Sequence, residues 1–379
     1  VRAVGLRGTD AVICDKYGRR RFGMPEIVGE YIDKIVNVEM MDDNSRRRNK
    51  TELLYRAARA KQGAPLTYLA AKGLIDHVKK DDYVVLLAGA GVSPWLEWGE
   101  TDSPTGIASL ARSLAFGLGA RPIYVGNEKE LGPVVAAGVA AGITVLDKEA
   151  IEVYKRKNTA LCIPFPIGEK GAKEKALEIL DEFKPTAVLG VEKHAPNSVG
   201  VWHSAAGQAV SGETQPHVHH IVEEGKKRGV FSVGIGDGGN EIGYGLIRDE
   251  ANAIYEQAFG VSCQCGCGGG EATTCATDVL ISTSVSNWGA YGVSAMLAYM
   301  LEDPFILQDA DTEKRMVEAM AQAGAVEATY ALSIPWVDGT SPEVQQAVVT
   351  MMHGVVANAL RRKPTKMHEA FSDYAASLK

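Results

Sequence analysis

Apolar positions fall into two patterns along this chain. From about residue 83 to 301, short runs almost continuous in apolar residues alternate with stretches whose apolar residues recur every three or four positions. The runs are YVVLLAGA (83–90), RPIYVG (121–126), GITVLD (142–147), TAVLGVE (186–192), FSVGIGD (231–237) and DVLISTSV (278–285). A strand with one solvated face alternates apolar and polar residues, whereas a strand covered on both faces does not. The runs therefore predict buried strands, and the intervening TGIASLARSLAFGLGA and EKGAKEKALEILDEF predict helices. Repeated strand–helix units imply an α/β fold, a doubly wound and mostly parallel sheet with helices on both faces. NKTELLYRAARAKQG and PLTYLAAKGLIDHV before the sheet, and DTEKRMVEAMAQAG and SPEVQQAVVTMMHGVVANALRRK after it, predict packing helices at both ends. No break in composition divides the chain, so residues 1–379 are expected to form one domain, with room for an inserted subdomain at 194–225.

Composition narrows the function classes. With 46% hydrophobic and 23% charged residues, the chain can bury a substantial core. Its 47 acidic and 40 basic residues leave a net charge of −7, and the densest basic patch, from Arg46 to Lys50, is short. Without a basic footprint, nucleic-acid binding is not expected. No apolar run reaches the roughly 18 residues of a membrane-spanning helix, so no membrane partner is expected either. The first residues carry no signal-type apolar region, and six cysteines in 379 residues do not make a secreted disulfide framework. A cytoplasmic compartment is the expectation, although a chain starting at Val1 leaves room for an upstream targeting segment.

The stretch VGIGDGGNEIGYG, residues 233–245, carries the most chemistry. Gly234, Gly236 and Gly239 fit G-x-G-x-x-G, the spacing of a dinucleotide loop. Two features oppose that reading. Asp237 and Glu241 would stand beside the pyrophosphate, each costing on the order of 1 kcal/mol in like-charge repulsion. The next strand, DVLISTSV, ends in Ser and Val rather than in the acidic residue that binds a ribose. No nicotinamide cofactor is expected. Instead, the glycines let Asp237, Asn240 and Glu241 converge just beyond a strand end, with a helix expected to start near Glu241. Such mixed oxygen ligands suit Mg²⁺ or Mn²⁺, and equally an ammonium group with a proton acceptor. A helix cap after a tight turn is the purely structural alternative.

Two further strand ends lie on the same edge. After YVVLLAGA come Glu100, Thr101 and Asp102, then Ser103 as an N-cap and Pro104 at the first helical position. After DVLISTSV come Ser286, expected as an N-cap, and Asn287 and Trp288, which open the next helix. Free N–H groups at helix starts of this kind can hold carboxylates.

GETDSPTG, VGIGDGGNEIGYG and SVSNWGAYG, in this order and spacing, resemble the D-glutamate cyclase family, first catalogued as a domain of unknown function. AKQGAPLTYLAA and AGAVEATYALSIPWVDG extend the resemblance to about residues 30–360. It implies a lyase that closes the amine of D-glutamate on the side-chain carboxylate, giving 5-oxo-D-proline and water, aided by a divalent metal. On that basis Asp237, Glu241 and Asp102 contact the metal or the substrate ammonium, and one of them acts as the base. Thr101, Ser286 and Asn287 hold substrate carboxylates. Glu100, Glu192, Lys193, Gly238, Gly239, Asn240 and Trp288 complete the expected substrate site. The residue types suit this chemistry, because the amine must lose a proton and the developing oxyanion needs a metal or N–H donors.

Three features depart from the family or stand outside it. The family's Glu-Arg-Pro-Gly reads Glu192, Lys193, His194, Ala195 here, and an ammonium cannot reproduce the paired planar contact of a guanidinium with a carboxylate. Substrate identity is therefore less constrained than reaction type. Five of the eight histidines fall between His194 and His220. His217 and His220 can share a helix face but His219 cannot join them, so exposed polar histidines are favoured over a transition-metal site. Cys263, Cys265 and Cys267 alternate in CQCGCGGGEATTC, with Cys275 eight residues on, a spacing that fits structural zinc poorly. A Gly-rich surface loop is the expectation there, with soft-metal binding or redox chemistry as alternatives. The rival functions are a hydrolase or isomerase of another small amino acid or lactam, and a non-catalytic binding protein for an acidic metabolite or nucleotide. The apolar C-terminal helices offer a homodimer contact.

Overall fold

Strands that are apolar on both faces need a covering layer on each side, and the computed structural model supplies two. It describes residues 13–14, 20–21, 24–40, 49–154, 157–361 and 366–378. Seven strands make one parallel sheet: β1 Tyr83–Leu87, β2 Arg121–Gly126, β3 Thr144–Val145, β4 Thr159–Pro164, β5 Ala187–Val191, β6 Phe231–Gly236 and β7 Val279–Ser282. Their spatial order is β7-β6-β5-β1-β2-β4-β3. The predicted doubly wound α/β fold is the observed one. β4 is the strand that the apolar pattern leaves out, because its short run ends at Pro164, which cannot donate to a ladder. Pairing with β2, Ile123 opposite Leu161, holds it in place.

Alternate residues of β1 serve opposite faces. Val84 and Leu86 join a core shared with the helices Met24–Val36, Leu66–His77, Pro104–Ser113 and Ser286–Met300. Val85 and Leu87 join a second core, under the helices Ala172–Phe183 and His219–Lys226. The helix Ser286–Met300 runs through the middle of the first core, with every residue from Ser286 to Ala298 buried. A helix surrounded in this way needs no polar face. Among the described residues, no helix is long and apolar enough to cross a membrane.

Two details of this frame position the site. The chain runs outward from β1 to β2, β3 and β4, then crosses to β5 on the other side of β1. In open parallel sheets, ligands bind at the carboxyl ends of strands beside such a reversal. The second detail is Gly234 in β6: a Cβ there would stand 2.1 Å from the carbonyl oxygen of Ile242. Gly234→Ala should therefore destabilise the protein at the upper end of the range of about 1–3 kcal/mol typical of overpacking. A urea midpoint unchanged from the parent's would refute that close approach.

Candidate active site

The carboxyl ends of β1, β5 and β6 open on one cleft of about 420 Å³. Glu100 reaches it from the segment after β1, Glu192 and His194 from the segment after β5, and Asp237 and Gly238 from the turn after β6. Lys50, Val92, Leu96, Ser204, Ala205, Ala206 and Gln208 form further walls, with Ala328, Thr329 and Asp338. Carboxylates from distant parts of the chain meet here. Oxygens of Asp102, Asp237 and Asp338 lie within 4.8 Å of one another, as do those of Glu192, Asp237 and Glu241. Ligand atoms of Glu100, Glu192 and His194 form a third group of the same span.

The turn after β6 is built by Glu241. No α-helix starts there, contrary to expectation; a single 3-10 turn at Gly245–Ile247 leads into the next one, Arg248–Phe259. Instead the Glu241 side chain folds back, and its oxygens accept the N–H groups of Asp237, Gly238 and Gly239 at 3.1, 2.7 and 2.7 Å. Gly236 makes room for it, since a Cβ there would lie 2.8 Å from the Glu241 carboxyl carbon. The N–H groups that a pyrophosphate would use thus already have an acceptor in Glu241.

The expected local helix caps are exchanged across space. Ser286 is the first residue of its helix rather than its cap, and its N–H and that of Asn287 go to the two oxygens of Asp102, at 2.8 and 2.7 Å. In return, Asn287 Oδ1 accepts the N–H groups of Ser103 and Gly106, at 3.1 and 2.6 Å, at the start of the helix Pro104–Ser113. The Ser103 hydroxyl instead donates to the Val191 carbonyl at 2.8 Å. The two helices are buried side by side, so each end can be satisfied by a residue from the other. The Ser286 hydroxyl is left to donate to Glu192.

Several residues expected in the substrate site do not line the cleft. The Thr101 carbonyl accepts from Asn287 Nδ2 at 2.9 Å, and Trp288 Nε1 donates to Gln345 at 2.7 Å within the core. The Lys193 ammonium lies 2.8 Å from Glu130 Oε2 and donates to the Gly89 carbonyl. Asn240 Nδ2 donates to the His203 carbonyl at 2.8 Å, and Gly239 turns the chain at a φ of 115°. Conversely, the sequence offers little sign of Lys50 or Asp338. Lys50 reads as the end of a basic patch, yet it is buried and paired with Glu271 at 3.2 Å. Asp338 lies in the loosely family-like WVDG stretch, whose only signal is that resemblance.

Crowding of buried acids around the cleft changes their protonation. Burial, followed by the charges of Glu241, Asp237, Asp102 and Glu100, pushes Glu192 well above the usual carboxylate range. Glu100 is raised in the same way, by burial first and then by Asp338 and Asp102. Burial lowers His194 to about 4 against the pull of Glu241, so its imidazole is neutral at pH 7. Asp102, Asp237 and Asp338 present a cluster of hard oxygen donors, the kind Mg²⁺ and Mn²⁺ prefer. A carboxylate has about four lone-pair sites, so Asp102 keeps acceptor capacity after taking two N–H groups. The donor set therefore fits the divalent cation expected from the sequence.

The histidines expected on an exposed face are packed together. The helix begins only at His219, so His217 sits in the preceding turn and escapes the helical-face restriction. Ligand nitrogens of His217, His219 and His220 lie within 4.8 Å of one another. The Trp202 ring lies 4.9 Å from that of His217, and Glu169 approaches His217 and His220 at 2.6 and 3.2 Å.

A family model described as D-glutamate cyclase-like, C-terminal, matches residues 34–353. No curated protein matches the chain.

Proposed function

The chain belongs to the D-glutamate cyclase-like family, and on that premise we propose that it is a lyase converting D-glutamate to 5-oxo-D-proline and water. The observation that carries this reading is the meeting of Glu100, Glu192 and His194 in a cleft whose acidity suits an ammonium substrate. Ring closure takes two protons from nitrogen and places two on the departing oxygen. Paired groups that exchange a proton therefore end each turnover as they began. Glu100 and Glu192 supply such a pair, since burial and the surrounding carboxylates favour the protonated form of each. The ionised member takes the ammonium proton, and the protonated member delivers one to the departing oxygen. His194, neutral and with Nε2 3.7 Å from Glu192 Oε1, accepts and returns a proton within the same group. A divalent cation held by Asp102, Asp237 and Asp338 would supply the positive charge that lets substrate carboxylates enter an acidic cleft, and would polarise the one under attack. Glu241 keeps the turn that carries Asp237 rigid.

Chiral product analysis tests this. The protein, supplied with Mg²⁺ or Mn²⁺, is offered D-glutamate, L-glutamate and both hands of 5-oxoproline. Loss of water from D-glutamate supports the proposal. Turnover confined to another amino acid or lactam would make the protein a hydrolase or isomerase. No turnover, with thermal stabilisation by a nucleotide and none by D-glutamate, would make it a binding protein.

A further inference from the structure

The cysteine-rich loop after the helix Arg248–Phe259 meets a residue that its own spacing does not reveal. Nε2 of His203 and the sulfurs of Cys263, Cys265 and Cys267 all lie within 4.8 Å of one another. His203 Nε2 stands 3.1 Å from Cys265 Sγ and 3.9 Å from Cys267 Sγ. Cys263 Sγ stands 3.4 and 3.6 Å from the other two sulfurs. Ligands placed tetrahedrally about one zinc ion, at Zn–S and Zn–N bond lengths, stand about 3.4–3.8 Å apart. We infer that His203, Cys263, Cys265 and Cys267 bind a zinc ion in a closed, four-coordinate site.

The surroundings fit that ligand set. Left-handed turns at Gly266 and Gly268, with φ of 68° and 78°, let alternating cysteines bring their sulfurs to one point. Cys267 Sγ accepts N–H groups from Asn197 at 3.3 Å and from Gly269 at 3.4 Å, contacts that hold the sulfur in place. His203 turns Nε2 toward the sulfurs, so the neutral tautomer protonated at Nδ1 would present its lone pair to the ion. Cys263 and His203 are buried while Cys265 is exposed, which leaves the ion a path in. Cys275 takes no part, being packed in the second core. Three soft thiolates and an imidazole select zinc over the hard cations that suit the carboxylate cluster.

The ion also joins two parts of the cleft wall. His203 immediately precedes Ser204, Ala205 and Ala206, which line the cleft, and its carbonyl accepts from Asn240. From the cysteine loop, Gln264 N–H donates to the Gly207 carbonyl at 2.9 Å. Zinc bound here fastens that wall without touching substrate.

Metal analysis of the full chain, prepared without chelators or a histidine tag, should find about one zinc per chain. The Cys265→Ser, Cys267→Ser double variant should fall below about a tenth of that. Cobalt(II) exchanged into the parent chain should give the intense visible bands of a tetrahedral site and a near-ultraviolet thiolate charge-transfer band. That spectrum decides the matter even if the double variant does not fold. A parent chain that takes up no stoichiometric zinc, cobalt showing only the weak bands of octahedral oxygen ligation, or a folded double variant retaining its zinc would each overturn the assignment.

Discussion

The Glu192→Gln protein is expected to form 5-oxoproline from D-glutamate about 10²- to 10⁴-fold more slowly than the parent, the usual contribution of a positioned acid–base group. The amide keeps the size of the side chain and can still accept from the Ser286 hydroxyl, but it cannot exchange a proton with substrate. Stability should move the other way. Glu192 has a folded-state pKa well above the ordinary value of 4.5, so the folded protein keeps this proton longer than the unfolded chain does. The stabilisation from that proton is fully present below the ordinary carboxyl pKa and is lost as pH rises through the raised one. Glutamine has no proton to lose. At about pH 8 the variant should therefore be at least as stable as the parent, and its melting temperature should fall less between about pH 5 and pH 8. Near-parental turnover would remove Glu192 from the mechanism. Loss of turnover with a much lower melting temperature at the higher pH would show that the side chain acts as a structural anion instead.

Lys193→Met should destabilise the fold by about 3–5 kcal/mol, the cost of leaving one member of a buried ion pair alone. The Lys193 and Glu130 side chains are only 2% and 1% exposed and stand 2.8 Å apart. This pair bolts the end of β5 to the helix Glu128–Ala140, and the lysine also holds the Gly89 carbonyl beyond β1. Methionine fills most of the lysine's volume but leaves a carboxylate in a dry interior. Adding Glu130→Gln removes that charge and should recover most of the loss, giving a strong coupling in a double-mutant cycle read by urea unfolding. Losses that simply add would rule out the buried pair as the source. A lysine acting on substrate would behave differently, raising KM while leaving the urea midpoint in place.

Several elements of this protein are legible without coordinates because they depend on near neighbours in the chain. β2 spans 121–126 as its apolar run predicts, and the helix Lys50–Gln62 follows its three- and four-residue repeat. Backbone geometry sets those periods, and burial on one or both faces writes them into adjacent residues. The polar residues that end β1, β5 and β6 are readable for the same reason, since a parallel sheet must present its strand ends on one edge. Which of those residues face the cleft is a different matter. Asp102 also caps a helix 184 positions downstream, while Asp338 and Lys50 arrive from opposite ends of the chain. The cysteine loop looks deficient as a metal site because the nearest imidazole belongs to His203, 62 residues before Cys265. Periodicity records how a segment meets its surroundings, but not which distant segment provides them. Cap exchange, the inward turn of Lys193 and the approach of His203 to the cysteines were decided only when tertiary packing brought those distant segments together.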